Sequence, residues 1–252
     1  MMLAAVLLAS PPAKARPVVV MLDPGHGGTN LGARGPEINR YEKALTLAIA
    51  RQTADELRKR LPGARVMLTR TRDRYLTLSQ RVRLANRVRA TLFVSIHLNA
   101  SDSRTQHGFE TYFLNREASD HEAERLASRE NMEPSRSHTV RAAGGGAGDA
   151  DLVLGAILSD LRQTAAHTAS AALAKRVQKE LARALGEAEN RGVRQAAFDV
   201  LKGLRMPGVL VEVGFIDHPV EGPLMNTAGV QRRVARALAA AIAGHLEPAA
   251  SR

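Results

Sequence analysis

Three short runs of this chain are apolar almost without interruption: VVVML at residues 18–22, TLFVSIH at 91–97 and VLVEV at 209–213. A strand that is apolar on both faces must be covered on both faces, which points to the interior of a layered α/β fold. The segments between these runs carry helical periodicity. Residues 42–61 place Ala44, Leu45, Ala48, Ile49 and Leu57 along one stripe, closed by Pro62-Gly63. Thr77-Leu78-Ser79-Gln80 has the form of a capping box and opens a helix through Val82, Leu84, Ala85 and Val88. Residues 65–69 and 108–114 read as further strands, and 152–185 and 227–246 as further helices. The alternation predicts an α/β single domain with a mostly parallel central sheet flanked by helices. In such sheets, sites form at the carboxyl ends of the strands.

Composition narrows the class. Of 252 residues, 44% are hydrophobic and 24% charged, enough for one sizeable core. There is no cysteine, which removes disulfides and thiolate metal sites. No internal stretch reaches the ~20 apolar residues of a membrane span. The first 15 residues, an apolar run followed by Ala13-Lys14-Ala15, read as a secretory signal peptide cut after Ala15, although no basic residue precedes the run. The formal net charge is +11, a balance that attracts polyanions. Aromatic residues make up only 3% of the chain, too few for stacking platforms, and no base-reading element is visible, so nucleic-acid binding is not expected. From residue 115 to about 150 the sequence is polar and then Gly-rich, with one helical candidate at 119–130; a segment this long without a core pattern reads as an insertion.

Four ionisable residues stand out by where they fall. His26, in DPGHGG, follows the first strand. The loop lacks the spacings of a phosphate-binding turn. His97 ends a strand, where a buried imidazole needs a hydrogen bond or a metal. Glu42 opens a helix, a position favourable to any carboxylate, by ~0.3–1 kcal/mol. Glu212 lies in GVLVEVGF, apolar on both sides, where an isolated carboxylate is costly without a partner or a cation. Two histidines and one glutamate with an open fourth position form a catalytic zinc arrangement, and another carboxylate can take a proton from water at such a centre.

DPGHGG, YEKALTLAIA, SIHLNA and LVEVGFIDHP, in that order, resemble the zinc-dependent N-acetylmuramoyl-L-alanine amidases of the Amidase_3 type, the Gram-negative septal cell-wall amidases among them. The resemblance runs from about Val18 to the C-terminal helix and includes VMLTRTRDRYLTLSQRVRLANR and QAAFDVLKGLRMPGVLVE. It implies Zn2+ held by His26, Glu42 and His97, and Glu212 as catalytic acid–base. It implies a mature catalytic domain over residues 16–252, peptidoglycan as substrate, a periplasmic location, and a role in wall remodelling and daughter-cell separation. ERLASREN resembles a regulatory helix of the septal enzymes, which makes Glu130 an inhibitory metal contact and implies an activator protein of the degenerate LytM type. Asp217-His218 stands where the family usually has Ser-Asn or Thr-Asn, and His218 reads as a loop residue beside the site rather than a ligand. Asp199 replaces a residue that is commonly small. A zinc peptidase or deacylase acting on another amide, and a basic non-catalytic wall-binding protein, are the other readings.

Overall fold

The computed structural model of the chain describes residues 17–133, 149–186 and 188–247, with 149–162 as backbone only. The expected signal peptide and the Gly-rich part of the insertion lie outside the described residues.

In chain order the elements are β1 (Val19–Pro24), the two-residue strands β2 (Arg34–Gly35) and β3 (Arg40–Tyr41), α1 (Glu42–Arg60), β4 (Arg65–Leu68), α2 (Leu78–Arg87), β5 (Leu92–Asn99), β6 (Phe109–Leu114), α3 (His121–Glu130), α4 (Asp149–Leu185), β7 (Asn190–Ala196), β8 (Gly208–Phe215), α5 (Glu221–Met225) and α6 (Ala228–Leu246). Six strands form one sheet in the order β4-β1-β5-β8-β6-β7. Four of its pairings are parallel and one, β6 against β8, is antiparallel. The mostly parallel α/β sheet is therefore as the apolar runs require, with helices on both faces.

The period of two in each strand sorts side chains between two cores. Val20, Leu22, Val94, Ile96, Val209 and Val211 pack under α1, α6 and α4 through Ile49, Leu57, Leu173, Val177, Leu238 and Ile242. Met21, Phe93, Leu210 and Tyr112 face the other way, onto Ala123, Leu126 and Ala127 of α3 and Phe198 and Leu201. Each such fully buried side chain is worth ~1.5–3 kcal/mol. The capping box of α2 is formed, with Thr77 Oγ1 accepting from Gln80 N at 3.1 Å and Thr77 N donating to Gln80 Oε1 at 2.9 Å.

β7 is absent from the expected elements. Its sequence, NRGVRQA, lacks both an apolar run and a clean alternation, because it is an edge strand with intermediate exposure over most of its length. What holds it is pairing to β6 and a set of ion pairs, neither of which leaves a hydrophobic signature.

A candidate metal centre at the carboxyl edge of the sheet

β1 ends at Asp23-Pro24, and the loop that follows is held by two buried arginines. Arg81 pairs with Asp23 at 2.8 Å and donates to the carbonyls of Pro24 at 2.8 Å and His26 at 2.6 Å. Arg70 donates to the carbonyls of Pro24 at 3.0 Å and Gly25 at 2.7 Å. Burial, with Arg81 nearby, pushes the Arg70 guanidinium down to about 10. These bonds hold His26 at φ 58°, a left-handed backbone that costs a non-glycine residue ~1–2 kcal/mol. Gly25 is required for another reason: a Cβ there would lie 2.4 Å from His97 Cε1.

The two imidazoles meet edge to face with centroids 4.8 Å apart. His26 Nδ1 lies 2.9 Å from Asn30 Oδ1, so an Nδ1–H donated there leaves the Nε2 lone pair for the site. That Nε2 is 2.9 Å from Glu42 Oε2 and 3.3 Å from Glu130 Oε2. His97 Nδ1 is 3.1 Å from both Glu42 Oε1 and Glu130 Oε2. Glu42 is fixed by backbone donors, Ala33 N at 3.0 Å and Leu98 N at 2.9 Å. Glu212 is in register beside His97, one strand spacing away, ~4.8 Å, and fully buried.

The sequence thus named five residues that do come together. Among the described residues one set of three is compact enough to hold a cation, His26, His97 and Glu130, with ligand atoms within 4.8 Å of one another. Glu130 therefore sits inside the donor set, with Glu42 in contact with both imidazoles. The fit to a cation rests on unmet bonding. His26 Nε2, His97 Nδ1 and Glu130 Oε2 are buried without a partner in hydrogen-bond geometry, and so are both oxygens of Glu212. Converging nitrogen and carboxylate donors of this kind suit zinc.

The electrostatics follow from burial and proximity. Burial raises Glu42, but the imidazoles, His26 foremost, outweigh it and hold the carboxyl well below its ordinary value. Glu130 is lowered in the same way, with His97 the main counterweight to burial. Burial depresses His97, yet Glu130 and Glu42 carry it well above the usual imidazole value, and His26 is raised chiefly by Glu42. Glu212 moves the opposite way from its fellow carboxylates. Burial pushes it well up, His97 opposes, and Glu130 and Glu42 add to the rise.

Several residues of this centre do not stand out in the sequence. Asn30, Arg70, Arg81 and Asn99 carry no pattern that marks them. Glu110 did carry one, a carboxylate inside the strand GFETYFL, the same signal that singled out Glu212. It is fully buried and in register opposite Glu212. His218 lies in the loop before α5. Its Nδ1 accepts from Val220 N at 3.2 Å and Glu221 N at 3.0 Å, capping the start of α5. Asp199 pairs with Lys202 at 2.6 Å, and its backbone N–H donates to Asn131 Oδ1 at 2.7 Å.

An α/β sheet that gathers two imidazoles and several buried carboxylates at its carboxyl edge defines a hydrolase-like protein with a candidate metal centre. Residues 20–244 match the N-acetylmuramoyl-L-alanine amidase family, Amidase_3, and the chain belongs to it. It is 38% identical to the N-acetylmuramoyl-L-alanine amidase AmiA of Escherichia coli strain K12 over 88% of this chain and 73% of that protein. It is 34% identical to AmiC of Neisseria meningitidis serogroup B over 89% of this chain and 51% of that protein. Among solved structures, an N-acetylmuramoyl-L-alanine amidase from Clostridium difficile 630 superposes with a TM-score of 0.68 at 28% identity, over 92% of this chain and 98% of that one. AmiC2 of Nostoc punctiforme superposes at 0.65 with 28% identity, over 91% and 97%.

Proposed function

We propose that this protein is a zinc-dependent amidase that hydrolyses the amide between the lactyl group of N-acetylmuramic acid and L-alanine of the peptidoglycan stem. The observation that carries the reading is the convergence of unpartnered buried atoms from His26, His97, Glu130 and Glu212 at one edge of the sheet. His26, Glu42 and His97 would hold the ion once Glu130 has withdrawn, Glu42 through the carboxylate that already touches both imidazoles. A zinc ion held there supplies Lewis acidity to the scissile carbonyl and to the attacking water. Glu212 takes the proton of that water and returns it to the leaving nitrogen. Burial raises its carboxyl well above the ordinary carboxylate value, which makes the ionised form a stronger base toward water. Asn30 and the backbone donors on Glu42 keep the ligands aimed, and Arg70 and Arg81 keep the His26 loop in its strained shape.

Glu130 makes the described state a closed one. Its carboxylate lies against both imidazoles, and α3 lies across the face that carries Glu212. α3 then acts as an autoinhibitory element within the inserted segment, residues 115–150, of a catalytic domain spanning 16–252. Its release calls for an activator of the degenerate LytM type that binds the open state better than the closed one. The setting is the periplasm, reached through the signal peptide, and the role is wall remodelling and daughter-cell separation. No described helix is long and apolar enough to cross a membrane.

The test is digestion of purified sacculi with and without a chelator, with products identified by mass. The proposal requires intact stem peptides with a free L-alanine amine, lost on chelation and restored by zinc. Cleavage within the peptide, or of an acetamido group, would favour a peptidase or a deacylase instead.

A further inference from the structure

β7 carries an irregularity beside the site. Asn190 pairs with Phe109 and Val193 with Thr111, so Arg191 and Gly192 together oppose the single residue Glu110. Gly192, at φ 87°, provides the left-handed turn of this bulge. In a regular strand, residues three apart point to opposite faces. The extra residue cancels that, and Arg191 and Arg194 converge on one carboxylate, Glu122 of α3. Arg191 Nη2 is 2.6 Å from Glu122 Oε1, and Arg194 Nη1 is 2.7 Å from Oε2.

Glu122 is the nearest but not the sole partner of the pair: Arg194 Nη1 also lies 3.4 Å from Asp120 Oδ2, just before α3. The Arg191 guanidinium lies 5.2 Å from the centroid of the Phe215 ring. Its Nε is 3.2 Å from Glu110 Oε2, and Arg194 Nε is 3.5 Å from the same oxygen. Glu110 is itself anchored by Asn99 Nδ2 at 2.7 Å and stands opposite Glu212 in the ladder. With α3 in place the two arginine side chains are only 9% and 18% exposed, so α3 covers a charged pair that its withdrawal would uncover. β7 is two strands from β8, ~10 Å from the strand of Glu212.

α3 therefore presents two carboxylates to two positive sites, Glu130 to the imidazoles and Glu122 to the arginines. Eight residues of helix separate them, ~12 Å along the axis. An extended peptide covers that distance in three to four residues at ~3.3–3.6 Å each. The geometry points to Arg191 and Arg194 as a specificity subsite for a free carboxylate on an acidic peptide, about three residues beyond the scissile amide. In this view, which rests on the amidase reading and on α3 as its cover, Glu122 is the stand-in for that carboxylate. Arg191 and Arg194 are then specificity-determining residues, outside the proton-transfer machinery.

The experiment uses the full chain carrying Glu130→Ala, with and without Arg194→Gln. Two soluble muramoyl peptides are compared, identical except that the third residue bears a free carboxylate or its primary amide. The chain with both arginines should favour the free acid by about tenfold or more in kcat/KM, through KM rather than kcat. Arg194→Gln should erase most of that preference, and Arg194→Lys should restore part of it. Thermal melts establish that each variant is folded, and the acid–amide comparison on the unaltered arginines does not depend on any of them. Equal turnover of both peptides by the arginine-bearing chain would overturn the subsite and make the pair a clamp on α3 alone. Failure to cut either peptide would instead refute the amidase reading, and the subsite with it.

Discussion

Replacing Glu130 with alanine tests the closed state most sharply. Its Oε2 lies 3.3 Å from His26 Nε2 and 3.1 Å from His97 Nδ1, and the residue is close to fully buried. Close charge pairs of this kind couple by ~1.5–3 kcal/mol, the lower end of the range for buried pairs. At 1.4 kcal/mol per decade, losing that much from the closed state raises the open population by about 10- to 150-fold. The gain should stop short of full activation, because other contacts still hold α3. Arg129 donates to Asn99 Oδ1 at 2.6 Å and to the Ala100 carbonyl at 2.8 Å. Glu122 stays with Arg191 and Arg194, and Asn131 Nδ2 donates to the Ala197 carbonyl at 2.9 Å. The assay is the initial rate of dye release from labelled sacculi by the full chain at saturating zinc. Adding Glu122→Gln should raise the rate again. An unchanged or lower rate for Glu130→Ala, in protein that melts normally and binds zinc, would refute the autoinhibitory role.

Other expectations follow from the same geometry. Glu212→Gln should bind zinc as before and lose about 100- to 10,000-fold in turnover; a wild-type rate would remove its acid–base role. The metal-free protein should lose stability on both sides of a pH window. His97 and His26 are raised, so their contribution is whole below about 6.5 and fades as pH rises through their folded values. Glu42 and Glu130 are lowered, so theirs is present above about 4.5 and fades as pH falls through their folded values. Zinc requires neutral imidazoles, so its stabilising effect should grow from pH 5 to 8; melting curves with chelator and with zinc that run parallel across that range would contradict this. Arg81→Met strands the buried charge of Asp23 and frees the His26 carbonyl, which should cost ~3–5 kcal/mol in chemical denaturation; a loss under ~1 kcal/mol would show that the pair does not hold the loop.

The parts of this molecule legible in its sequence are those that leave a hydrophobic or a chemical mark. The apolar runs gave the central strands, and the Thr77–Gln80 box gave the start of α2. His97 and Glu212 were visible because each sits where an ionisable group is expensive. Glu110 sits in the same kind of place, yet GFETYFL alternates polar and apolar residues, so its carboxylate passed for an outward-facing one. β7 was hidden because it is polar and irregular, and Gly192 reads as a loop until its partner strand is known. The convergence of Arg191 with Arg194 depends on that bulge, and no spacing rule reveals it. Arg70 and Arg81 looked like two of many surface cations. Only the tertiary fold turns them inward, onto the carbonyls of Pro24, Gly25 and His26.

The proposed function requires that His26, Glu42 and His97 gather one cation at the sheet edge beside Glu212. Metal content tests it most directly, measured by elemental analysis on the full chain after zinc loading and exhaustive dialysis, beside His26→Ala and His97→Ala. The expected result is one zinc per wild-type chain and close to none in either variant. Protein that stays empty, or variants that hold as much zinc as the wild type, would contradict it.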